Sequence, residues 1–149
     1  MTRDFCRVPT GDSHSGEAVG IDDLSVYVPG LFLPLAGEFS LDRGIDPGKL
    51  IKGIGIERMA VPDAHEDAAT MAAMSLLDLM RRCDLSPGDI GKIYVGTESA
   101  VDEAKAMGTY VIGIMEKVYG KGSFHDCTTV EFKSACIGTT NALESLSYW

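Results

Sequence analysis

The sequence predicts an α/β fold, in which strands and helices alternate along the chain. Short segments rich in β-branched and aromatic residues are each followed by a longer segment whose apolar residues recur at helical spacing. The resulting order of strand, helix, strand, helix, strand and helix is typical of a sheet covered by layers of helices. With 149 residues, of which 45% are apolar and 23% charged, the chain is long enough for one domain with a sizeable core.

The N-terminal part of the chain divides into a polar leader and the start of the predicted domain. Residues 1–18 contain Gly and Ser and show no periodicity, so we expect a flexible leader there. Residues 19–149 are expected to form one N-terminal domain. Its first strand is predicted around residues 19–28, which end at a Pro-Gly pair. Asp46 and Pro47 predict the start of a short helix, as its N-cap and first helical residue.

The following elements are predicted from periodicity and turn residues. The glycine-rich residues 52–56 are expected to end the short helix. Two longer helices are predicted over residues 62–84 and 102–119, where apolar residues recur every three or four positions. A Ser-Pro-Gly-Asp turn precedes a buried strand over residues 90–96, and a further strand is predicted over residues 128–133.

The last segment, residues 136–149, has helical spacing and reaches the end of the sequence without a glycine cap, a turn or a polar tail. We therefore expect a truncated chain, and the alternative is a natural terminus with a docked last helix. No run approaches the roughly 20 apolar residues of a membrane span, and the N-terminus lacks the pattern of a signal peptide, so no membrane partner is expected.

The net charge and the cysteine spacing limit which binding partners and which cellular compartment we expect. The net charge of −9 argues against general nucleic-acid binding, because an acidic surface repels phosphates. A few local Lys or Arg side chains can still bind the phosphates of a small ligand. The four cysteines have no zinc-binding spacing, which favours reduced thiols and a cytoplasmic location. They are Cys6, Cys83, Cys127 and Cys136.

Cys136 follows a β-prone segment and precedes small residues that open a helix. A cysteine at that place lies in the positive potential of a helix N-terminus, which favours the nucleophilic thiolate. Its small neighbours leave room for a substrate carbonyl. Taken by itself, the same spacing also fits a small buried thiol, which is common in protein cores.

Glu98 stands just after the predicted strand over residues 90–96. Ligands of α/β sheets gather beyond the carboxyl ends of strands, where a carboxylate can serve as a general base. A helix N-cap or a surface acid is the alternative. Because Cys136 also follows a strand, we expect both residues at one edge of a sheet. A nucleophile that holds an acyl group, beside a base, is what a Claisen-type condensation requires.

Three segments carry a family resemblance. Residues 96–105 read GTESAVDEAK, residues 132–140 read FKSACIGTT, and residues 46–49 read DPGK, upstream of a Gly-Ile-Gly sequence and Met59. The first two resemble the segments of hydroxymethylglutaryl-CoA synthases that carry the general base and the acetylated cysteine. The third resembles a segment that lines their CoA site. The segments occur in family order, and the resemblance covers residues 19–149.

This resemblance implies a thiolase-like layered αβαβα fold, of which the chain forms the first half of a duplicated architecture. It implies condensation of acetyl-CoA with acetoacetyl-CoA in the mevalonate pathway, through an acetyl group on Cys136, with Glu98 as the base. It also assigns CoA contacts to Asp46, Pro47 and Lys49 and an oxyanion-binding N–H to Cys136. No cofactor is expected beyond the CoA thioester substrates, and a homodimer is expected, with residues 107–119 as one candidate interface.

The sequence departs from the family at two places. Ile137 follows the cysteine, where the family often has an aromatic residue. The histidines, His14, His65 and His125, all precede Cys136, and none matches the family's catalytic histidine, so we expect the chain alone to be inactive. Three alternatives remain open: a β-branching synthase that accepts a carrier-protein substrate, another thiolase-fold condensing enzyme such as a ketoacyl synthase, and a non-catalytic interaction module with an inert Cys136 thiol. Decarboxylating ketoacyl synthases do not rely on a glutamate such as Glu98.

Overall fold

The computed structural model of the chain describes residues 19–149, so the predicted leader of residues 1–18 lies outside the described residues. The described part divides into two compact units. One is formed by residues 28–67, and the other by residues 68–149 with the preceding segment 19–27. None of the helices within residues 19–149 combines the length and apolar character that a membrane crossing demands.

The unit of residues 28–67 contains a small antiparallel sheet. Strand β1 (Leu31–Pro34) pairs with strand β2 (Arg58–Val61), with Leu31 opposite Val61. Between them, helix α1 (Glu38–Arg43) ends at Gly44, whose left-handed backbone (φ 62°) lets its N–H bond to the carbonyl of Leu41.

The predicted short helix opens at Asp46, as expected. Asp46 Oδ1 accepts the N–H of Gly48 at 2.9 Å. The expected break over residues 52–56 is wrong in part, because a π-helical segment runs over Lys49–Ile54. It ends at Gly55, which adopts a left-handed conformation (φ 78°).

The strand predicted around residues 19–28 is wrong, since these residues have no regular secondary structure. A strand requires a hydrogen-bonded neighbour, and the apolar side chains here remain exposed, as at Val26 with 72% exposure. Side-chain bonds to the helix over Ala68–Arg82 hold the segment instead. Arg82 donates to Asp23 Oδ2 and to the carbonyl of Leu24, both at 2.8 Å, and Ser25 Oγ donates to Asp78 Oδ2 at 2.8 Å.

The larger unit confirms the predicted alternation of helices and strands. Helix α2 (Ala68–Arg82) precedes strand β3 (Lys92–Gly96), and helix α3 (Met107–Tyr119) connects β3 to strand β4 (Thr128–Phe132). The two strands are parallel, with Lys92 opposite Thr128 and Gly96 opposite Phe132. A 3₁₀ turn then leads into helix α4 (Gly138–Ser147). The Ser-Pro-Gly-Asp turn before β3 is confirmed as a short 3₁₀ helix.

Two helices begin later than predicted. Before α2, Asp63 and Glu66 close a separate turn, in which Asp63 N–H donates to Glu66 Oε2 at 2.7 Å and Glu66 N–H donates to the Asp63 carbonyl at 2.9 Å. Before α3, the carboxylate of Asp102 binds backbone N–H groups of the following residues. Such local side-chain bonds compete with helix formation, so the periodic residues after each turn are helical and those before it are not.

The core of this unit lies between α2 and α3. Its buried cluster consists of Ala73, Met80, Val111, Met115 and Phe124. Met80 is fully buried, and burying such a side chain stabilises the fold by about 1.5–3 kcal/mol. Much of the apolar side of α3, the candidate interface of the sequence analysis, therefore packs inside its own unit.

Candidate active site

The pairing of β3 and β4 brings the two predicted catalytic residues to one edge of the sheet. The strands end together at the pair Gly96 and Phe132. One further bond, from the N–H of Thr97 to the carbonyl of Phe132 at 3.3 Å, extends the pairing past the strand end. Glu98 follows β3 and Cys136 follows β4, so both leave the carboxyl edge, where ligands of parallel sheets bind.

Cys136 lies at the centre of a 3₁₀ turn formed by Ala135–Ile137, directly before α4. Its thiol is free and exposed. Ala135 has a φ of +47°, a left-handed conformation that costs an alanine about 1–2 kcal/mol. This strained turn presents the thiol at the positive end of α4, which is the environment of a nucleophile.

Two glycines let α4 approach the strand ends closely. A Cβ on Gly96 would lie 2.2 Å from the backbone nitrogen of Thr139, and a Cβ on Gly138 would lie 2.7 Å from the carbonyl oxygen of Phe132. Thr139 Oγ1 also donates to the carbonyl of Gly96 at 3.3 Å. Only glycine fits at these two positions, and the position of the Cys136 turn depends on them.

Glu98 is exposed at the start of a loop over residues 97–106 that connects β3 to α3. The loop is folded around Asp102, whose Oδ1 accepts the N–H groups of Ala104 at 2.7 Å and Lys105 at 2.9 Å. Tyr110 donates its hydroxyl to Asp102 Oδ2 at 2.8 Å. These bonds lower the pKa of Asp102 to about 2, and the bond from the Lys105 N–H contributes most. The carboxylate is therefore ionised at neutral pH.

The other described cysteines differ from Cys136 in their surroundings. Cys127 is half-buried beside the core, and burial raises the pKa of its thiol above the ordinary value, although Lys92 partly offsets this. Cys83 donates its thiol to Asp23 Oδ2 at 3.0 Å. Cys6 lies outside the described residues. Cys136 is therefore the exposed thiol among the three that the structure describes.

His125 is the histidine that the structure describes in the larger unit, and it does not lie at this edge. His125 lies in the turn before β4, at the amino end of the strand, whereas Cys136 follows the carboxyl end, roughly 15 Å away along a five-residue strand. His65 belongs to the other unit, and His14 lies outside the described residues. Within residues 19–149, no three His, Cys, Asp or Glu side chains converge as a metal site requires.

The predicted CoA-binding residues Asp46, Pro47 and Lys49 belong to the unit of residues 28–67. Asp46 opens the helical segment there, and Lys49 is the first residue of its π-helical part, with an exposed side chain. An exposed ammonium at that place is available to a phosphate.

Sequence reasoning missed two charged residues of β4 and its end, Glu131 and Lys133. The side chain of Glu131 is only 6% exposed, and its Oε2 accepts the N–H of Met107 at the first residue of α3, at 2.9 Å. Lys133 Nζ donates to the carbonyl of Asp102 at 3.0 Å and to Glu103 Oε2 at 3.2 Å. Their partners lie about 24 to 31 positions away in sequence, so no local pattern reveals these contacts.

The family model described as "Hydroxymethylglutaryl-coenzyme A synthase N terminal" matches residues 15–149. The chain belongs to the hydroxymethylglutaryl-CoA synthase family. The hydroxymethylglutaryl-CoA synthase of Haloferax volcanii is 41% identical over 132 residues, which are 89% of this chain and 29% of that protein. That of Enterococcus faecalis is 32% identical over 126 residues, 85% of this chain and 30% of that protein. The chain thus spans less than a third of these family members.

Solved structures of hydroxymethylglutaryl-CoA synthases confirm the thiolase-like fold. The structure of MvaS in complex with 3-hydroxy-3-methylglutaryl coenzyme A matches with a TM-score of 0.73 and 32% identity, over 85% of this chain and 28% of that chain. The HMG synthase of the curacin biosynthetic pathway, in complex with holo donor-ACP, matches with a TM-score of 0.68 and 27% identity, over 85% of this chain and 29% of that chain.

Proposed function

We propose that the chain supplies the nucleophile and the general base of a hydroxymethylglutaryl-CoA synthase, which condenses acetyl-CoA with acetoacetyl-CoA. In this proposal Cys136 is the nucleophile and Glu98 is the base. The observation that carries it is the parallel pairing of β3 and β4, which ends both strands at one edge with these two residues just beyond it.

In the first step, the Cys136 thiolate attacks the thioester carbonyl of acetyl-CoA. Cys136 lies just before the N-terminus of α4, and its N–H donates to the oxygen on which negative charge develops. The bond between the acetyl carbon and the CoA sulfur breaks, and CoA leaves as a thiol after taking a proton. The product is an acetyl group held on Cys136 by a thioester bond.

In the second step, Glu98 removes a proton from the methyl carbon of this acetyl group. The resulting carbanion equivalent attacks the ketone carbon of acetoacetyl-CoA, and the alkoxide formed there takes a proton from a general acid. The family resemblance gives that role to a histidine for which this chain has no matching motif. Hydrolysis of the Cys136 thioester then releases 3-hydroxy-3-methylglutaryl-CoA and restores the thiol.

The complete protein is proposed to bind the CoA moiety partly through Asp46, Pro47 and Lys49. Lys49 is exposed and suits a CoA phosphate as a point charge. We also propose a cytoplasmic homodimer that serves the mevalonate pathway and needs no cofactor besides its CoA substrates.

The test is to incubate the product of the complete reading frame with labelled acetyl-CoA and to map the label by mass spectrometry. We expect label on Cys136, none in Cys136→Ala, and unchanged labelling in the matched control Cys127→Ala, whose thiol is half-buried. Glu98→Gln should accept label yet form no 3-hydroxy-3-methylglutaryl-CoA. Wild-type protein that stays unlabelled, or condensation that persists in Glu98→Gln, would contradict the proposal.

The likeness to the curacin-pathway HMG synthase, solved with a donor-ACP, favours a second candidate. In it, Cys136 and Glu98 perform the same chemistry, but the acetyl group arrives on a carrier protein. Competition between acetyl-CoA and an acetylated carrier protein for labelling Cys136 separates the two. Labelling from the carrier alone would select this candidate over the first.

A further inference from the structure

Lys133 connects the two segments that leave the sheet edge. It lies directly after β4, on the chain leading to Cys136. Its Nζ contacts Asp102 and Glu103, which belong to the loop of residues 97–106 that carries Glu98. The contact with Asp102 is made to a backbone carbonyl, so it fixes the course of the loop rather than one flexible side chain.

The loop carries further hydrogen bonds at the point where Lys133 binds it. The same Asp102 whose carbonyl accepts from Lys133 also accepts three hydrogen bonds with its carboxylate. The low pKa of that carboxyl group keeps it charged, so these bonds persist at neutral pH. Asp102 therefore anchors the loop four residues after Glu98. On the other side of Glu98, the N–H of Ser99 donates to Thr97 Oγ1 at 3.0 Å, so the loop is held on both sides of the base.

On the strand side, Lys133 faces a buried carboxylate. Glu131 Oε1 lies 4.0 Å from Lys133 Nζ and has no hydrogen-bond partner within the part of the chain that the structure describes. A buried carboxylate is destabilising unless positive charge compensates it. The ammonium of Lys133 and the N-terminus of α3, which donates Met107 N–H, supply that charge. Lys133 therefore lies between the Glu131 carboxylate and the loop and contacts both.

We propose that Lys133 is a positioning residue that holds the Glu98 loop in register with the Cys136 turn. The inference rests on the proposed function, in which the Glu98 carboxylate reaches the acetyl group on Cys136. An open cavity of about 460 Å³ beside the contact, lined by Glu103, Lys105, Glu131 and Lys133 among others, gives a released loop room to move. Catalysis by a positioned base is sensitive to such displacement.

The first experiment measures hydrogen exchange in the chain itself. In Lys133→Met and Lys133→Gln we expect the amides of Ala104 and Lys105 to exchange roughly tenfold faster, because a charge-assisted hydrogen bond to the loop is lost. The amides of β4 should be unchanged. Lys133→Arg should restore protection, since its guanidinium still donates, and Lys117→Met, on the exposed side of α3, is the matched control.

Unchanged loop exchange in Lys133→Met and Lys133→Gln would overturn the proposal. So would loosening of the loop and β4 together in both variants, because that indicates a general loss of fold. If β4 loosens in Lys133→Met but not in Lys133→Gln, the loop exchange of Lys133→Gln decides: faster exchange supports the proposal, and unchanged exchange overturns it.

The second experiment measures turnover in the product of the complete reading frame. In Lys133→Met we expect Cys136 to accept label from acetyl-CoA with an unchanged KM, while kcat for condensation falls roughly tenfold and Lys133→Arg recovers it. Full condensation activity despite a loosened loop would overturn the positioning role. If the wild-type protein takes no label, the proposed function fails, and the exchange result still stands on its own.

Discussion

The two segments that leave the sheet edge are held in place in different ways. The turn after β4, with Cys136 at its centre, depends on direct backbone packing at Gly96 and Gly138 and on a strained Ala135. The loop after β3, which carries Glu98, depends on polar bonds to Asp102 and Lys133.

The two segments should therefore respond to different kinds of substitution. Close packing of backbone against backbone tolerates no added atom, because interiors are dense and adjust little. Polar bonds at an exposed loop weaken gradually and respond to charge and pH. Adding a methyl group at the turn should therefore lower the stability of the whole unit, whereas removing a charge from the loop should affect the loop alone.

The largest effect is expected for Gly96→Ala. Its Cβ would lie 2.2 Å from the Thr139 nitrogen, so α4 must move away from β3, at a cost of about 3 kcal/mol in the free energy of unfolding. Gly113→Ala on α3 is the matched control, since within residues 19–149 its added Cβ meets no atom closer than 4 Å outside its own helix backbone and chain neighbours, and it should stabilise by about 0.5–1 kcal/mol. Urea denaturation measures both. Equal stability of the two variants would show that the packing at Gly96 is not essential.

A smaller, pH-dependent effect is expected for Asp102→Asn. The folded-state pKa of Asp102, about 2, lies below its ordinary value of 3.8, so its contribution is fully present above about pH 4 and is lost as the pH falls through about 2. Protection factors of the Ala104 and Lys105 amides should fall over that range in the wild type. In Asp102→Asn, whose amide oxygen still accepts but carries no charge, they should lie below the wild-type values above about pH 4 and should not change with pH.

The same variant has a second spectroscopic readout. The hydrogen bond to Asp102 raises the pKa of the Tyr110 phenol above its ordinary value of 10.0. Asp102→Asn should bring it back toward that value in an ultraviolet titration, with Tyr110→Phe identifying the signal. An unchanged Tyr110 pKa in Asp102→Asn would show that the hydrogen bond from Tyr110 to Asp102 does not stabilise the loop.

The smallest effect is expected for Ala135→Gly. Glycine adopts the left-handed φ of this position without strain, so the variant should gain roughly 0.5–1 kcal/mol of stability despite the greater freedom of its unfolded chain. Ala72→Gly, on α2, should instead lose about 1 kcal/mol, because its backbone is helical. If both variants lose stability equally in urea, the turn at Ala135 is not strained.

The sequence predicted the helices and strands that follow from the composition and spacing of neighbouring residues. Strands β3 and β4 follow from short β-prone runs, and helices α2 and α3 from apolar residues at helical spacing. The positions of Glu98 and Cys136 after these strands were predicted for the same reason, and their common edge follows from parallel pairing.

What the sequence did not predict depends on contacts between distant residues or on local competition. The segment 19–28 has the composition of a strand, yet a strand also needs a neighbour to pair with. Helix α3 begins at Met107 because Asp102 binds the preceding backbone and Glu131, from β4, accepts the Met107 N–H. The left-handed φ of Ala135 has no sequence signal, since alanine normally avoids it.

The parallel pairing of β3 and β4 also has a consequence for how the chain folds. Lys92 and Thr128 pair across 36 residues, so the strands cannot meet until α3 and both flanking loops have closed a long segment of chain. Long-range pairing of this kind forms slowly compared with helices. The edge that brings Glu98 and Cys136 together should therefore be completed late, which makes the environment of the Cys136 thiol a kinetic reporter of the final folding step.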